Sequence, residues 1–260
     1  MVNQIDTIAR KLYTAERDSQ AVTKFTDQYP DLNAETAYSV QERLIEIKCS
    51  EEQAEVVGYK LGLTSKAKQE MMGVHEPTYG VLLENMQVQD SEVIKLSQFI
   101  HPKIEPEIAF IFNKELKGPV SVPEVLAATA YVAPALEVID SRYENFRFTL
   151  VDVIADNSSS SRFIIGETFT SPSDIDLKLC GMVFKKNGEI MDTGAGAAVM
   201  GHPARAIAWM INKLTARGQT IQPGDIVLSG ALCGAVTAED KDLFTVSIDG
   251  LGSVSAKFSE

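Results

Sequence analysis

The sequence is poor in cysteine and histidine. Its 260 residues include three of each, and Cys49, Cys180 and Cys233 are widely spaced, with no Cys-x-x-Cys pair. An odd set of isolated cysteines favours free thiols in a reducing compartment over a disulfide framework. We therefore expect a cytoplasmic protein.

Long hydrophobic runs are missing too. The longest nearly apolar stretch, 125–136, is interrupted by Thr129 and Pro134 and is shorter than the ~20 residues that span a bilayer. The segment from Met1 to Asp18 carries charges throughout and lacks the apolar stretch of a signal peptide. We expect neither a transmembrane helix nor a secretory signal.

Positive charge is also scarce, since 24 Lys and Arg residues stand against 36 Asp and Glu, which gives a net charge of −12. Such an acidic surface repels phosphates and anionic lipids, so binding to nucleic acid or to a membrane is disfavoured. An anionic substrate would need a local cation or a bound metal to approach. The hydrophobic content of 45% is ordinary for a globular protein, and the length suits one large domain with a modest appendage.

The pattern of apolar residues changes near residue 55. Before it, helical stripes are formed by Ile5, Ile8 and Leu12 and, after a predicted N-cap at Asn33, by Ala37, Val40, Leu44 and Ile47. After it, short apolar runs separated by Gly, Pro and Asn are typical of strands. We expect a helical segment over 1–55 and a strand-rich domain over 56–260. The predicted strands are 56–61, 92–96, 104–112, 136–140, 162–165, 181–184, 226–229, 243–248 and 253–258.

Turn and cap residues add two hairpins and three helices to the strand-rich domain. Asn187-Gly188 and Asp249-Gly250 each separate two apolar runs, as tight β-turns do. The predicted helices are 65–72, a segment that begins with the capping box Ser121-Val-Pro-Glu124, and 203–217. Because helices and strands do not alternate regularly, the pattern favours an α+β fold with a mixed or rolled sheet over a doubly wound sheet or a βα barrel.

Acidic residues occur inside two of the predicted strands. Glu105 and Glu107 are two residues apart and project to one face of a strand, while Pro106 between them cannot donate to a ladder and favours a sheet edge or a bulge. Glu137 interrupts another apolar strand. Three converging carboxylates would repel one another, and Mg²⁺ or Mn²⁺ would relieve that repulsion. The alternative is that Glu105 and Glu107 form a solvent-exposed strand face and that Glu137 is salt-bridged.

Lys60 is a lone cation in an otherwise apolar strand. Next to a metal it could compensate charge, hydrogen-bond a developing oxyanion or transfer a proton. The alternative is a lysine that extends to solvent from an exposed face.

The segment 156–161 is rich in hydrogen-bonding groups, although such segments are usually turns. The glycines of 194–201 match neither a dinucleotide fingerprint nor a P-loop, and His202 after them is expected to cap or pack.

Several motifs, in order along nearly the whole chain, resemble the hydratase/decarboxylase branch of the fumarylacetoacetase superfamily. They are GYKLGLTSKAKQEMMGVHEPTYGVL, HPKIEPEIAF, PALEVIDSRYENF, VIADNSSSSRFIIG, GAGAAVMGHP and GLGSVSAKF. The resemblance implies a mixed β-roll or sandwich core like the fumarylacetoacetase C-terminal domain. It also implies a Mg²⁺ or Mn²⁺ site at Glu105, Glu107 and Glu137.

The resemblance further assigns catalytic roles to Lys60 and to Ser159, the latter from a DNAS-type motif that reads DNSS here. Substrate contacts are expected from Leu61, Thr78, Arg142 and Arg162. The hydratases of this branch typically carry an Asp where this chain has Thr78, and threonine cannot activate water near neutral pH. The difference favours decarboxylation over hydration.

The implied activity is metal-dependent decarboxylation of a 2-oxo dicarboxylate, 2-oxo-3-hexenedioate, to 2-hydroxypenta-2,4-dienoate and CO₂ in aromatic meta-cleavage catabolism. One alternative is hydration of 2-hydroxypenta-2,4-dienoate on the same metal scaffold. Another is a non-catalytic scaffold subunit that stabilises a hydratase. The resemblance also implies a homo-oligomer and a complex with 2-hydroxypentadienoate hydratase.

Overall fold

A computed structural model describes residues 2–66, 69–70, 74–90 and 92–260. Its helices are α1 (Val2–Arg17), α2 (Ala34–Glu52), α3 (Val122–Ala128), α4 (Leu150–Ala155) and α5 (Pro203–Ala216). Its strands are β1 (Val56–Gly62), β2 (Thr78–Leu83), β3 (Gln87–Val88), β4 (Val93–Lys95), β5 (Lys103–Phe112), β6 (Thr129–Ile139), β7 (Ser160–Ile165), β8 (Gly181–Lys186), β9 (Glu189–Ala195), β10 (Ile226–Leu228), β11 (Val236–Thr237), β12 (Leu243–Ile248) and β13 (Gly252–Ser259). Within these ranges, no helix is both long enough and apolar enough to cross a bilayer.

Helices α1 and α2 pack through the two predicted apolar stripes. The N-cap of α2 is confirmed, because the Asn33 side chain accepts a hydrogen bond from Thr36 N at 3.0 Å and so satisfies a free N–H of the first turn. The apolar cluster between the helices also takes in residues of the strand-rich part, so the helical segment packs against it. This cluster includes Ile8, Leu12, Ala37, Val40, Leu44, Ile47, Tyr143 and Ile154.

The strands form two sheets, of which the larger has the order β2-β1-β10-β5-β6-β7-β3, with β11 also paired to β5. β1 and β10 are parallel, whereas β5 is antiparallel to both β10 and β6. The smaller sheet has the order β4-β13-β12-β8-β9, and its strands β12 and β13 pack against β6. This mixed arrangement confirms the predicted α+β class.

Both predicted hairpins and two predicted helix starts are confirmed. β8 and β9 pair across Asn187-Gly188, where both residues have positive φ (54° and 87°), as a type I′ turn requires. β12 and β13 pair across the turn that contains Asp249-Gly250. Helix α3 begins with the predicted capping box, in which Ser121 N donates to the Glu124 carboxylate at 2.8 Å. His202 caps α5, since its Nδ1 accepts from Ala204 N at 3.1 Å.

Several parts of the larger sheet were not predicted, namely β2, the short strands β3 and β11, and the first half of β6. β2 is buried along its whole length, and a short run that is apolar on both faces shows no alternation to identify it. β6 begins at Thr129 rather than near residue 136, because its interior position hides the period of two and Pro134 argues against a central strand. The predicted helix 65–72 and Gly73 lie partly outside the described residues.

Candidate active site

Three acidic side chains converge on the face of the larger sheet where β5 meets β6. Glu105 lies directly opposite Glu137, and Glu107 lies opposite Ala135 on the same face. One carboxylate oxygen from each acid lies within 4.8 Å of the other two. Glu107 and Glu137 are 0% exposed and Glu105 is 7% exposed. The alternative of a solvent-exposed strand face is therefore wrong.

Pro106 lies in an interior strand, so the prediction of a sheet edge or bulge was wrong. β10 pairs with residues 109–111 of β5 and β11 with residues 103–104, so the ladder is interrupted beside the proline. There the connection between β10 and β11 runs beside β5, and Leu232 N donates to Pro106 O at 2.9 Å. The missing N–H of the proline falls in this gap. The same connection brings Gly230 N to Glu107 Oε2 at 2.7 Å.

Lys60 comes to the acids from β1, two strands away from β5 in the sheet. Its side chain is 2% exposed, so the alternative of a lysine that extends to solvent is wrong. Its Nζ lies 3.0 Å from Glu137 Oε2 and donates to Ser158 O at 3.1 Å. Gly62, two residues along β1 on the same face, has no side chain, and a Cβ added there would lie 3.9 Å from Lys60 Nζ and 2.8 Å from Thr78 Oγ1.

Burial and mutual repulsion perturb the acids. Burial raises the pKa of Glu107 well above its usual range, and the neighbouring Glu137 and Glu105 carboxylates raise it further, against the influence of Lys60. Burial likewise raises the pKa of Glu137, while Lys60 and the Ser160 hydroxyl act in the opposite direction. Within the described ranges, Glu107 Oε1 has no hydrogen-bond donor. A buried, electron-rich set of carboxylate oxygens fits a hard divalent cation such as Mg²⁺ or Mn²⁺.

The segment Asn157–Ser159 forms a left-handed turn beside Lys60, with φ of 49°, 51° and 57° at its three residues. This conformation costs L residues about 1 to 2 kcal/mol each. The hydroxyl of Ser158 donates to Tyr79 O and lies 3.0 Å from Thr78 Oγ1. The hydroxyl of Ser159 lies 3.5 Å from Asp156 Oδ2. The contacts with Lys60 and Thr78 are thus made by Ser158, which the sequence did not single out from its three serine neighbours.

The four predicted substrate-contacting residues lie in different places. Thr78 is on the Lys60 side of the sheet, opposite Gly62. The side chain of Leu61 points to the other face and belongs to the hydrophobic core. Arg162 lies opposite Val138, so it faces away from Glu137. It lines a cavity of about 380 Å³ together with Glu16 and Lys48 of the helical segment.

Arg142 is fully buried, and its guanidinium binds the chain itself. Its Nε pairs with the Asp156 carboxylate, its Nη2 donates to Asp156 O, and its Nη1 donates to Asp140 O and Ser160 O. With its donors engaged in this way, Arg142 is not placed to contact a ligand. The structure therefore brings Lys60 to the acids, places Thr78 beside Ser158 on the same side of the sheet, and does not bring Arg142 or Arg162 to the acids.

Comparison with known proteins identifies the family of the chain. Residues 48–259 match the family model described as fumarylacetoacetate (FAA) hydrolase C-terminal. The chain is 46% identical to a 4-oxalocrotonate decarboxylase of Pseudomonas sp. (strain CF600), over 98% of this chain and 97% of that protein. It is 38% identical to a 2-hydroxyhexa-2,4-dienoate hydratase of Comamonas testosteroni, over 98% of both chains.

A solved structure shows the same architecture. The 4-oxalocrotonate decarboxylase from Pseudomonas putida G7, complexed with magnesium and adipate, superimposes with a TM-score of 0.96 at 42% identity and covers 99% of this chain and 98% of its own. The similarity extends through the helical segment as well as the sheets. The chain therefore belongs to the fumarylacetoacetate hydrolase C-terminal family, and it is an enzyme of its decarboxylase and hydratase kind.

Proposed function

We propose that the protein decarboxylates 2-oxo-3-hexenedioate to 2-hydroxypenta-2,4-dienoate and CO₂, with Mg²⁺ or Mn²⁺ as its cofactor. The observation that carries the proposal is the buried cluster of Glu105, Glu107 and Glu137 beside Lys60. The higher identity to a decarboxylase than to a hydratase supports the choice of reaction. The solved relative holds adipate, a six-carbon dicarboxylate like the proposed substrate.

Glu105, Glu107 and Glu137 would hold the ion, which when bound supplies Lewis-acid stabilisation of negative charge on the 2-oxo group. In the reaction, the bond between C5 and C6 of the substrate breaks, C6 leaves as CO₂, and the electron pair moves through the conjugated chain to the 2-oxo oxygen. The Lys60 ammonium can donate a hydrogen bond to that oxygen as its charge grows. Protonation of the oxygen completes the dienol product.

The strand positions next to the acids favour loss of the distal carboxylate. Ala109 of β5 and Ala133 and Ala135 of β6 lie on the same face as Glu107 and are fully buried. A small apolar surface stabilises neutral CO₂ better than it stabilises a carboxylate, which lowers the barrier from the bound substrate. We propose that the distal carboxylate lies against this alanine surface.

Hydration of 2-hydroxypenta-2,4-dienoate is the second candidate, since relatives at 38% identity are named hydratases. Thr78 makes hydration less favoured, because its hydroxyl is hydrogen-bonded to Ser158 and a threonine hydroxyl has no acid–base function near neutral pH. A non-catalytic scaffold is disfavoured for another reason. Burying three carboxylates together costs stability that a docking surface would not need.

The test is an assay of the purified chain with MgCl₂ and each of the two substrates. Release of CO₂ from 2-oxo-3-hexenedioate supports the proposal, whereas water addition to the pentadienoate without CO₂ release refutes it. Glu107→Gln should abolish turnover, while Glu115→Gln, which changes an exposed acid, should leave it unchanged. Parallel Ser158→Ala, Ser159→Ala and Ser160→Ala variants test the predicted role of Ser159 against its neighbours.

We also propose that the chain forms a homo-oligomer and associates with a 2-hydroxypentadienoate hydratase, which would consume its product. Light scattering of the purified chain, alone and mixed with such a hydratase, tests both points. A mass of one chain for the purified protein would contradict the homo-oligomer. A mixture in which the chain and the hydratase keep their separate masses would contradict the complex. If turnover appeared only after the hydratase is added, and Glu107→Gln had no effect on it, the scaffold alternative would be favoured.

A further inference from the structure

The ion pair of Arg142 and Asp156 binds the chain on both sides of the left-handed turn. Both side chains are fully buried. The guanidinium contacts the carboxylate and the carbonyl of Asp156, directly before the turn, and donates to Ser160 O at 3.0 Å, directly after it. The Asp156 carboxylate also accepts from Arg142 N at 3.1 Å. The two ends of the turn are thereby held at a fixed separation.

The turn is also held from the side of β2. Asn157 Oδ1 accepts from Val81 N at 2.7 Å, and Asn157 Nδ2 donates to Val81 O at 2.9 Å. Three consecutive non-glycine residues with positive φ persist only where the surroundings fix them. The ion pair and the Asn157 side chain provide that restraint, so together they set the position of the Ser158 carbonyl.

The Ser158 carbonyl in turn orients the Lys60 ammonium. An ammonium group has three N–H donors, and here two acceptors lie within reach, Ser158 O at 3.1 Å and Glu137 Oε2 at 3.0 Å. One N–H bond is directed at Ser158 O, and the ion pair holds the ammonium beside Glu137, so the carbonyl restricts the directions of the remaining two N–H bonds. Without the carbonyl, the ammonium could rotate freely about its contact with Glu137.

We propose that Arg142 and Asp156 are positioning residues, which hold the Ser158 carbonyl so that Lys60 directs one of its remaining N–H bonds towards the 2-oxo oxygen of the substrate. This inference rests on the proposed function. It predicts a loss in kcat without a loss in metal binding, because the three acids lie on β5 and β6 and not on the turn. A lysine cannot replace Arg142, since it lacks the planar fork that reaches three carbonyls and a carboxylate.

The experiment compares Arg142→Lys and Asn157→Gly, which release the turn from opposite sides, with Arg205→Lys as the matched control. Arg205 is exposed and donates to a backbone carbonyl, Met200 O, away from the turn. We expect kcat to fall about tenfold or more in both turn variants, with KM and the Mg²⁺ dissociation constant within about twofold of native. Asn157→Gly keeps the test available if the buried Arg142→Lys variant does not fold.

A second measurement follows the Lys60 ammonium itself by NMR of protein labelled with ¹⁵N-lysine. The native protein should show a slowly exchanging ammonium signal that Lys60→Met removes, and both turn variants should lose or shift it. Unchanged kcat and an unchanged signal in a folded turn variant would overturn the positioning role, as would a fall in kcat that follows a loss of Mg²⁺ affinity. If instead native protein releases no CO₂ or Lys60→Met remains fully active, the proposed function fails, and the ammonium signal still tests the positioning.

Discussion

Removing one charge from the acid cluster should stabilise the metal-free protein and abolish its response to metal. Glu107→Gln is the suitable change, because Gln keeps an oxygen that can accept the hydrogen bond from Gly230 N. Its amide NH₂ group replaces Glu107 Oε1, an oxygen that accepts no hydrogen bond from the described residues. The variant therefore removes repulsion while it preserves shape and the existing hydrogen bond. Stability and metal binding should change in opposite directions.

The expected gain follows from the distances. The carboxylate oxygens lie no more than 4.8 Å apart, and two unit charges at that separation repel by about 3.5 kcal/mol at an effective dielectric constant of 20, so this value is a lower bound for each pair. Lys60 offsets part of this repulsion, and a proton taken up by Glu107 relieves more. We expect a gain of about 1 to 3 kcal/mol, which for a chain of this size corresponds to a rise in Tm of about 2 to 12 °C.

The gain should depend on pH in a defined direction. An acid whose folded pKa lies above its unfolded pKa, as burial and the neighbouring carboxylates arrange for Glu107, destabilises the folded state above the unfolded value and not below it. The advantage of Glu107→Gln should therefore be present at neutral pH and vanish as the pH falls below about 4.3, the ordinary pKa of glutamate.

Differential scanning fluorimetry in EDTA and in MgCl₂ measures both effects. Native protein should gain about 2.7 kcal/mol when Mg²⁺ is at a hundred times its dissociation constant, and Glu107→Gln should show no such shift. The exposed variant Glu115→Gln is the matched control and should behave as native protein does. A lower Tm for Glu107→Gln in EDTA, or a full Mg²⁺ response from it, would refute the account of the cluster as a metal site.

Three further predictions concern the framework around the site. Asn33→Ala should cost about 1 kcal/mol of unfolding free energy in urea titrations, because it removes the N-cap of α2, and no change would show that the cap is dispensable. Phe244→Ala, which empties a fully buried position between the sheets, should cost about 3 to 5 kcal/mol, and a loss below 1 kcal/mol would contradict this packing. Burial raises the pKa of Glu16, but the Lys48 ammonium at 2.6 Å outweighs it and leaves the pKa lowered. The stabilisation from this ion pair is then present above about pH 4.3 and lost at lower pH. In Glu16→Gln the free energy of unfolding should therefore fall less steeply as the pH is lowered into the acid range. A curve of unfolding free energy against pH that runs parallel to that of native protein would exclude this role.

That Glu105 and Glu107 share a face could be predicted from sequence, because the period of two along β5 is a local regularity. Their convergence with Glu137 was one of two alternatives that the pattern left open, and the resemblance to the fumarylacetoacetase superfamily favoured it. The hairpins at Asn187-Gly188 and Asp249-Gly250 were predictable for the same reason, since their turn chemistry is contained in adjacent residues.

The position of Lys60 could not be predicted from such regularities. It depends on the strand order β1-β10-β5, in which β10 comes from far along the chain and separates two strands that are closer in sequence. The face of Arg162 depends on the register of β7 against β6, in which Arg162 pairs with Val138 and Phe163 with Glu137, and a shift of one residue in such a register reverses which side chains point to a given face. Pro106 was misassigned because the interruption of the ladder that accommodates it is formed by the distant connection 229–235.

The charge of the site also defines an order of binding. Three carboxylates and the Lys60 ammonium carry a formal charge of −2, within a protein whose net charge is −12. A 2-oxo dicarboxylate, itself a dianion, is repelled by such a site until a divalent cation neutralises it. Isothermal titration with a saturated 2-oxo dicarboxylate should therefore show binding in MgCl₂ and none in EDTA. Equal affinity in both solutions would mean that the dianion binds elsewhere, and that the acid cluster does not govern its entry.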